Sequence, residues 1–197
     1  NVGAHTALIM EQEGARVIAV SDVTGGIYNE KGLNIRELLD RYKTKGQSLK
    51  DTKLGEWITN DELLRLQCTV LVPAALSEQI TDRNAAALRC RILAEGANGP
   101  TTLEADRILE ANGVFIIPDI LANSGGVIVS YFEWVQDLQR FFWNETDIRK
   151  RLQNIITSAF HQTKQFAIDK KVSMRMAALM NGIDKVAQAH LQRGLYP

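Results

Sequence analysis

A chain of 197 residues, with 23 Lys and Arg against 23 Asp and Glu and 45% apolar residues, has material for one well-packed domain and a small appendage. The balanced charge and the lack of any basic block give no electrostatic support to nucleic-acid or membrane-surface binding. No apolar run is long enough to span a bilayer. Cys68 and Cys90 lie in separate segments with no CxxC spacing, so they read as two buried or half-buried thiols of a reduced, cytoplasmic protein.

The chain opens on "NVGAHTAL", a glycine step running straight into helix formers, and this helix should end at Gly14. "ARVIAVSD" is a short β-branched strand. Ile35, Leu38, Leu39 and Tyr42 have the spacing of an amphipathic helix. "TNDELLRLQ" starts another, with Thr59 and Glu62 as a capping box. "CTVLVPAAL" is a strand stopped by Pro73, and "RILAEGANGP" a strand entering a glycine-rich loop. "TTLEADRILEANG" is a helix with Thr101 and Glu104 as a second capping box and Gly113 as its stop; "VFIIPDI" is the last clear strand. Helical stretches follow over 125–142, 145–169 and 173–193. Tyr131, Val135, Leu138 and Phe142 form one apolar stripe there, and Leu179, Ile183 and Val186 another. Strands alternating with helices predict an open α/β fold, a Rossmann-like doubly wound parallel sheet, with a carboxy-terminal helical segment. The expected organisation is an α/β domain over 1–124 and a helical segment over 125–197.

Ligands of such sheets bind outside the carboxyl ends of the strands. Gly3 precedes a helix start, where backbone N–H groups and the helix dipole favour an anion; an ordinary tight turn explains that glycine equally well. Asp22 ends the first visible strand, nineteen residues after Gly3. That is where dinucleotide-binding folds set an acid against the adenosine ribose, although a turn aspartate before Gly25-Gly26 is the plain alternative. "PAAL" (73–76), "EGANGP" (95–100) and "PDILANSGG" (118–126) close further strands with small residues that admit a flat ligand. Asn98 and Asn123 offer amides suited to a carboxamide or ribose hydroxyls, or simply to loop backbone groups.

The stretches "RVIAVSDVTGGIYNEKGL", "VLVPAAL", "AEGANGPTTLEAD", "IPDILANSGGVIVSYFEWVQDLQRFFW" and the closing "RGLYP" resemble the coenzyme domain of glutamate dehydrogenase, in the Glu/Leu/Phe/Val dehydrogenase family. The resemblance runs over essentially the whole chain. It implies NAD(P)-dependent, reversible oxidative deamination of L-glutamate to 2-oxoglutarate and ammonium; the acid at Asp22 leans toward NAD because it opposes a 2′-phosphate, while Ser21, Thr24 and Lys31 offer donors to one. It implies that Asn1, Val2 and Gly3 line the pyrophosphate and ribose, and that Asp22 meets the adenine ribose. Ala74 and Ala75 would then border the coenzyme, with Asn98 and Asn123 near the nicotinamide. Val127 and Ser130 would face the amino-acid side chain, Ser130 donating to the distal carboxylate. The family's assembly is usually a hexamer.

The family's catalytic lysine and aspartate belong to an amino-terminal domain, and the first two fingerprint glycines precede Asn1, so the sequence reads as a fragment that is inactive and a weak coenzyme binder by itself. No catalytic residue and no metal ligand is assigned to it. Lys31 and Asp119 have ordinary solvated or turn readings, and His5, His161 and His190 lie scattered on helices. Two alternatives stand beside this reading: a non-catalytic nucleotide-binding module, and a dehydrogenase of the same family acting on another amino acid.

Overall fold

The computed structural model describes residues 2–44 and 46–194. Asn1, and Leu195 to Pro197 of the closing motif, fall outside the described residues. The chain divides into two compact units, 1–115 and 116–197.

In the first unit, α1 (Val2–Gln12) ends as its glycine requires. Gly14 takes φ +87°, and the Gly14 and Ala15 amides donate to the Glu11 and Met10 carbonyls. Strand β1 (Ala19–Asp22) turns back at once into β2 (Gly25–Tyr28), in the register Ala19↔Tyr28 to Asp22↔Gly25. This departs from the expectation that β1 belongs to a parallel sheet. Only Val23 and Thr24 link the two strands, and a parallel crossover needs about a dozen residues or more, so the pair has to be antiparallel. Strand β3 (Glu56–Ile58) adds to β2, also antiparallel, giving the order β1-β2-β3. Gly25, at φ +134°, is required there: a Cβ would lie 2.4 Å from Trp57 Cζ2 of the neighbouring strand.

Ile27 of this sheet packs with Ala7 of α1 and with Leu33, Ile35, Leu38 and Leu49. Two of these come from α2 (Ile35–Leu39), capped by Asn34 Oδ1 accepting from the Glu37 amide. The amphipathic pattern extended this helix to Tyr42. In the structure it passes into a π-turn at Asp40–Thr44, and Tyr42 is exposed. Helix α3 (Asn60–Leu64) has the expected reciprocal box between Thr59 and Glu62.

Strands β4 (Gln67–Leu71) and β5 (Arg89–Ala94) are parallel, from Gln67↔Arg89 to Leu71↔Leu93. With β6 (Phe115–Ile117), the strand in which the division of the chain falls, they form the sheet β4-β5-β6. The fold is thus mixed α/β with a parallel sheet, as the alternation predicts, beside a separate antiparallel sheet. Helix α4 (Leu103–Ala111) starts one residue later than its expected box. Thr102 is the cap, its hydroxyl accepting from the Ala105 amide, because Thr101 is drawn into a parallel bridge with Ile80.

The second unit is helical after β6: α5 (Asp119–Ala122), α6 (Gly125–Gln139), α7 (Glu145–Lys170) and α8 (Met174–Arg193). Asn144 and Ser173 cap the last two, accepting from the Asp147 and Met176 amides. The apolar stripes of these helices lie largely at the surface. Leu138 and Phe142 are exposed, with Tyr131 at 57%, and so are Leu179, Ile183 and Val186. The buried positions of α6 are Phe132 and Gln136, and those of α8 are Met174 and Ala177.

Candidate functional site

Three features of the first unit converge: the start of α1, the loop after β4 and the loop after β5. A Cβ placed on Gly3 would lie 3.5 Å from the Ala74 Cβ, and one placed on Gly96 would lie 3.2 Å from it. Both glycines thus bring backbone up to one small side chain. At Gly3 an alanine would make ordinary contact; at Gly96 it would crowd Ala74. The approach is fixed by hydrogen bonds, since the Gly96 and Ala97 amides both donate to the Pro73 carbonyl, at 3.0 and 2.9 Å. Further along, the Glu78 and Ile80 amides donate to the Gly99 and Pro100 carbonyls, and the Thr102 amide donates to the Ile80 carbonyl. Two loops without regular structure are thereby held as one backbone surface. Its outward residues, Val2, Gly3, Ala75 and Asn98, are exposed.

This arrangement suits a flat, anionic group. The α1 terminus presents amides in its first turn with no acidic side chain among them. The neighbouring loops contribute Ala74, Ala75 and Gly96, which leave room beside the backbone. Pro100 and Glu95 are fully buried beneath the loop. Glu95 was not singled out from the sequence, where an acid closing the run "RILAEG" is the signal that marks it; the residue has a partner within the fold.

Asp22 sits at the end of its own sheet and performs a local task. Its Oδ1 accepts from the Thr24 amide at 2.8 Å and from the Thr24 hydroxyl at 2.6 Å, closing the β1–β2 turn. Asn60 Nδ2 donates to the Asp22 carbonyl. The turn role is therefore real, and it leaves Oδ2 outside both Thr24 bonds.

In the second unit, Asn123 caps the end of α5, its amide donating to the Asp119 carbonyl. Asp119 Oδ1 accepts from the Ile120 amide at 2.8 Å and from Arg175 Nη1 at 3.4 Å, so beside its turn bond it ties α5 to α8. Val127 and Ser130 lie on the outward side of α6 with Tyr131 and Trp134, at helical spacing, and all four are exposed. The Tyr131 and Trp134 rings are 5.9 Å apart. The opposite side is fixed by Gln136, a residue the sequence did not single out. Its Nε2 donates to the Phe132 carbonyl, and its Oε1 accepts from the Trp143 amide at 2.6 Å. A surface hollow of about 500 Å³ along α7, lined by His161, Gln162, Lys164, Gln165 and Ile168, is only the space between side chains of one helix face. Among the described residues no helix is long and apolar enough to cross a membrane.

A parallel-sheet α/β unit with glycine-rich loops gathered at one helix start is followed along the chain by long helices. The chain belongs to the Glutamate/Leucine/Phenylalanine/Valine dehydrogenase family, whose profile matches residues 1–194. It is 49% identical to a glutamate dehydrogenase of Thermotoga maritima over 100% of this chain and 47% of that protein. It is 46% identical to a catabolic NAD-specific glutamate dehydrogenase of Bacillus subtilis, over 98% of this chain and 45% of the relative. Among solved structures it resembles the leucine-bound hetero-hexameric glutamate dehydrogenase of Thermus thermophilus, with TM-score 0.91 and 33% identity over 100% of this chain and 46% of that one. The chain spans about half the length of the curated relatives it matches.

Proposed function

We propose that this chain provides the coenzyme-binding part of an NAD(P)-dependent glutamate dehydrogenase, which interconverts L-glutamate with 2-oxoglutarate and ammonium. The observation that carries the reading is the convergence of Gly3 and Gly96 on Ala74, a backbone surface beside the α1 terminus. The nearly full-length match of this chain to relatives named glutamate dehydrogenases supports it.

When bound, the nicotinamide coenzyme supplies the hydride acceptor or donor. This chain's residues bind and orient it. Asn1, Val2 and Gly3 line the pyrophosphate and ribose, helped by the helix dipole. Asp22 accepts from the adenosine ribose through the oxygen not engaged by Thr24, and its charge opposes a 2′-phosphate, so NAD is preferred. The NAD specificity named for the Bacillus subtilis relative agrees with that preference. Ala74 and Ala75 border the ring system, and Asn98 and Asn123 serve the nicotinamide end. On α6, Val127 and Ser130 form part of the amino-acid pocket, Ser130 donating to the distal carboxylate of glutamate. Residues 1–124 act as the coenzyme domain and 125–197 as the helical segment that meets the substrate side. The complete enzyme acts in the cytoplasm as a homo-oligomer, a hexamer by family resemblance. No catalytic acid or base is assigned to these residues.

The test is a chimera in which residues 1–197 replace the corresponding part of the Thermotoga maritima enzyme. Glutamate oxidation with NAD is the expected outcome. Gly96→Val should raise the coenzyme KM by at least about tenfold, because its side chain enters the contact with Ala74. A clear preference for leucine or phenylalanine would overturn the substrate assignment, and a large NADP preference would overturn the role of Asp22.

A further inference from the structure

The sequence separates Cys68 and Cys90, but the fold joins them. They are direct partners in the parallel β4–β5 ladder. Neighbouring strands lie roughly 4.8 Å apart, and directly opposed residues of a parallel pair project to the same side. Cys68 with Val70, and Cys90 with Ile92, therefore share one face of the sheet. Both thiols are free; Cys90 is 6% exposed, whereas Cys68 is half-buried and gives access. Burial pushes both thiols above the ordinary cysteine range. Cys90 is pushed up to about 11, with the adjacent Cys68 adding to the effect. At neutral pH the site is two protonated sulfurs side by side on an apolar face.

That chemistry selects its ligand. Zinc needs about four ligands and thiolate charge, and among the described residues no cluster of three or more His, Cys, Asp or Glu side chains comes together. A trivalent arsenical asks for two soft sulfurs and nothing more. We propose that Cys68 and Cys90 form a dithiol site that binds monosubstituted trivalent arsenicals as a cyclic dithioarsenite. In the step, R–As=O and two thiols give R–As(S–Cys)₂ and water. Two As–S bonds form, the As=O bond breaks, and both thiol protons leave with the oxygen. No electrons are exchanged, and no buried charge persists in the product. The bridge clamps β4 to β5 at the strand ends opposite Ala74 and Gly96.

Phenylarsine oxide added to the folded 197-residue chain tests this by intact-mass measurement. The expected product carries one phenylarsenic group and two fewer protons. It should survive excess glutathione and be released by 2,3-dimercaptopropanol. Cys68→Ser and Cys90→Ser should each speed release by glutathione roughly a hundredfold, since the second As–S bond is intramolecular. Cys68→Ser, at the half-buried position, keeps the comparison available if Cys90→Ser fails to fold. Release from the parent chain as fast as from Cys68→Ser would overturn the proposal. So would an adduct that forms only after the chain is unfolded in urea.

Discussion

The two units of this chain handle apolar surface in opposite ways. In the first, Ile27, Ile35, Ile80, Leu93 and Leu109 are almost fully enclosed. Short strands and loops there gather into cores that satisfy themselves. In the second, Trp134 and Leu138 of α6, Phe141 and Phe142 after it, and Ile183 and Val186 of α8 stand well exposed, although α8 is long and capped by Ser173. Local helix signals therefore fix the helices of the second unit without enclosing their apolar stripes. Caps and turn residues act through the backbone, whereas burial requires an opposing surface. In the first unit the loops after β4 and β5 are tied backbone to backbone, and in the second Gln136 ties the inward side of α6 to the Phe132 carbonyl and the Trp143 amide.

The largest expected effect tests that contrast directly. Leu93→Ala, at a fully enclosed strand position, should cost about 2–5 kcal/mol by urea denaturation. Ile183→Ser, at 67% exposure, should stay within about 0.5 kcal/mol. A comparable loss at both positions would mean that the α8 stripe is enclosed in solution, and the contrast would fail.

A smaller effect belongs to Gln136. Replacing it by leucine keeps the bulk but removes the acceptor of the Trp143 amide, leaving that N–H without its partner where α6 gives way to α7. About 1–3 kcal/mol should be lost. Fluorescence of the tryptophans should also change, because the Trp143 ring packs edge-on to Phe132 at 5.5 Å and lies under the Arg151 guanidinium at 4.3 Å. Unchanged stability would show that this junction is not what holds the inner face of α6.

Much of this was legible in the sequence, and the gaps have physical causes. The cap at Thr59 lies beside the group it satisfies, so spacing alone locates that helix. The Thr101 cap slipped to Thr102 because a distant residue, Ile80, claimed Thr101 for a bridge. Strands β2 and β3 were missed because Gly25-Gly26 has the composition of a turn; the Trp57 ring across Gly25 turns that composition into a strand requirement. The meeting of Gly3 with Ala74 follows from the rule that ligand loops sit at strand ends, but the role of Gly96 needed coordinates. Val127 and Ser130 came from family resemblance alone, since an outward helix serine carries no signal of its own. Cys68 and Cys90 looked unrelated because parallel strands pair across long connections, and sequence distance then says nothing about contact.

The smallest effect concerns the best-read feature. Thr59→Ala removes the side chain that accepts from the Glu62 amide and should cost about 1 kcal/mol. It should also alter the acid limb of stability. Glu62 accepts from the Thr59 amide at 2.7 Å and from the Thr59 hydroxyl at 2.8 Å, and these bonds hold its carboxyl below the ordinary glutamate value. A carboxyl whose pKa is lower in the folded state binds fewer protons there than in the unfolded chain. Its contribution is therefore complete above the ordinary carboxylate range and is lost as pH falls through the lowered value. Thr59→Ala keeps the backbone donor and loses the hydroxyl, so part of the acid dependence should go with it. Parallel denaturation series at pH 7 and pH 3 should show the two chains drawing closer at the lower pH. A difference that stays constant would mean that the bond donated by the Thr59 hydroxyl to Glu62 carries no stability of its own.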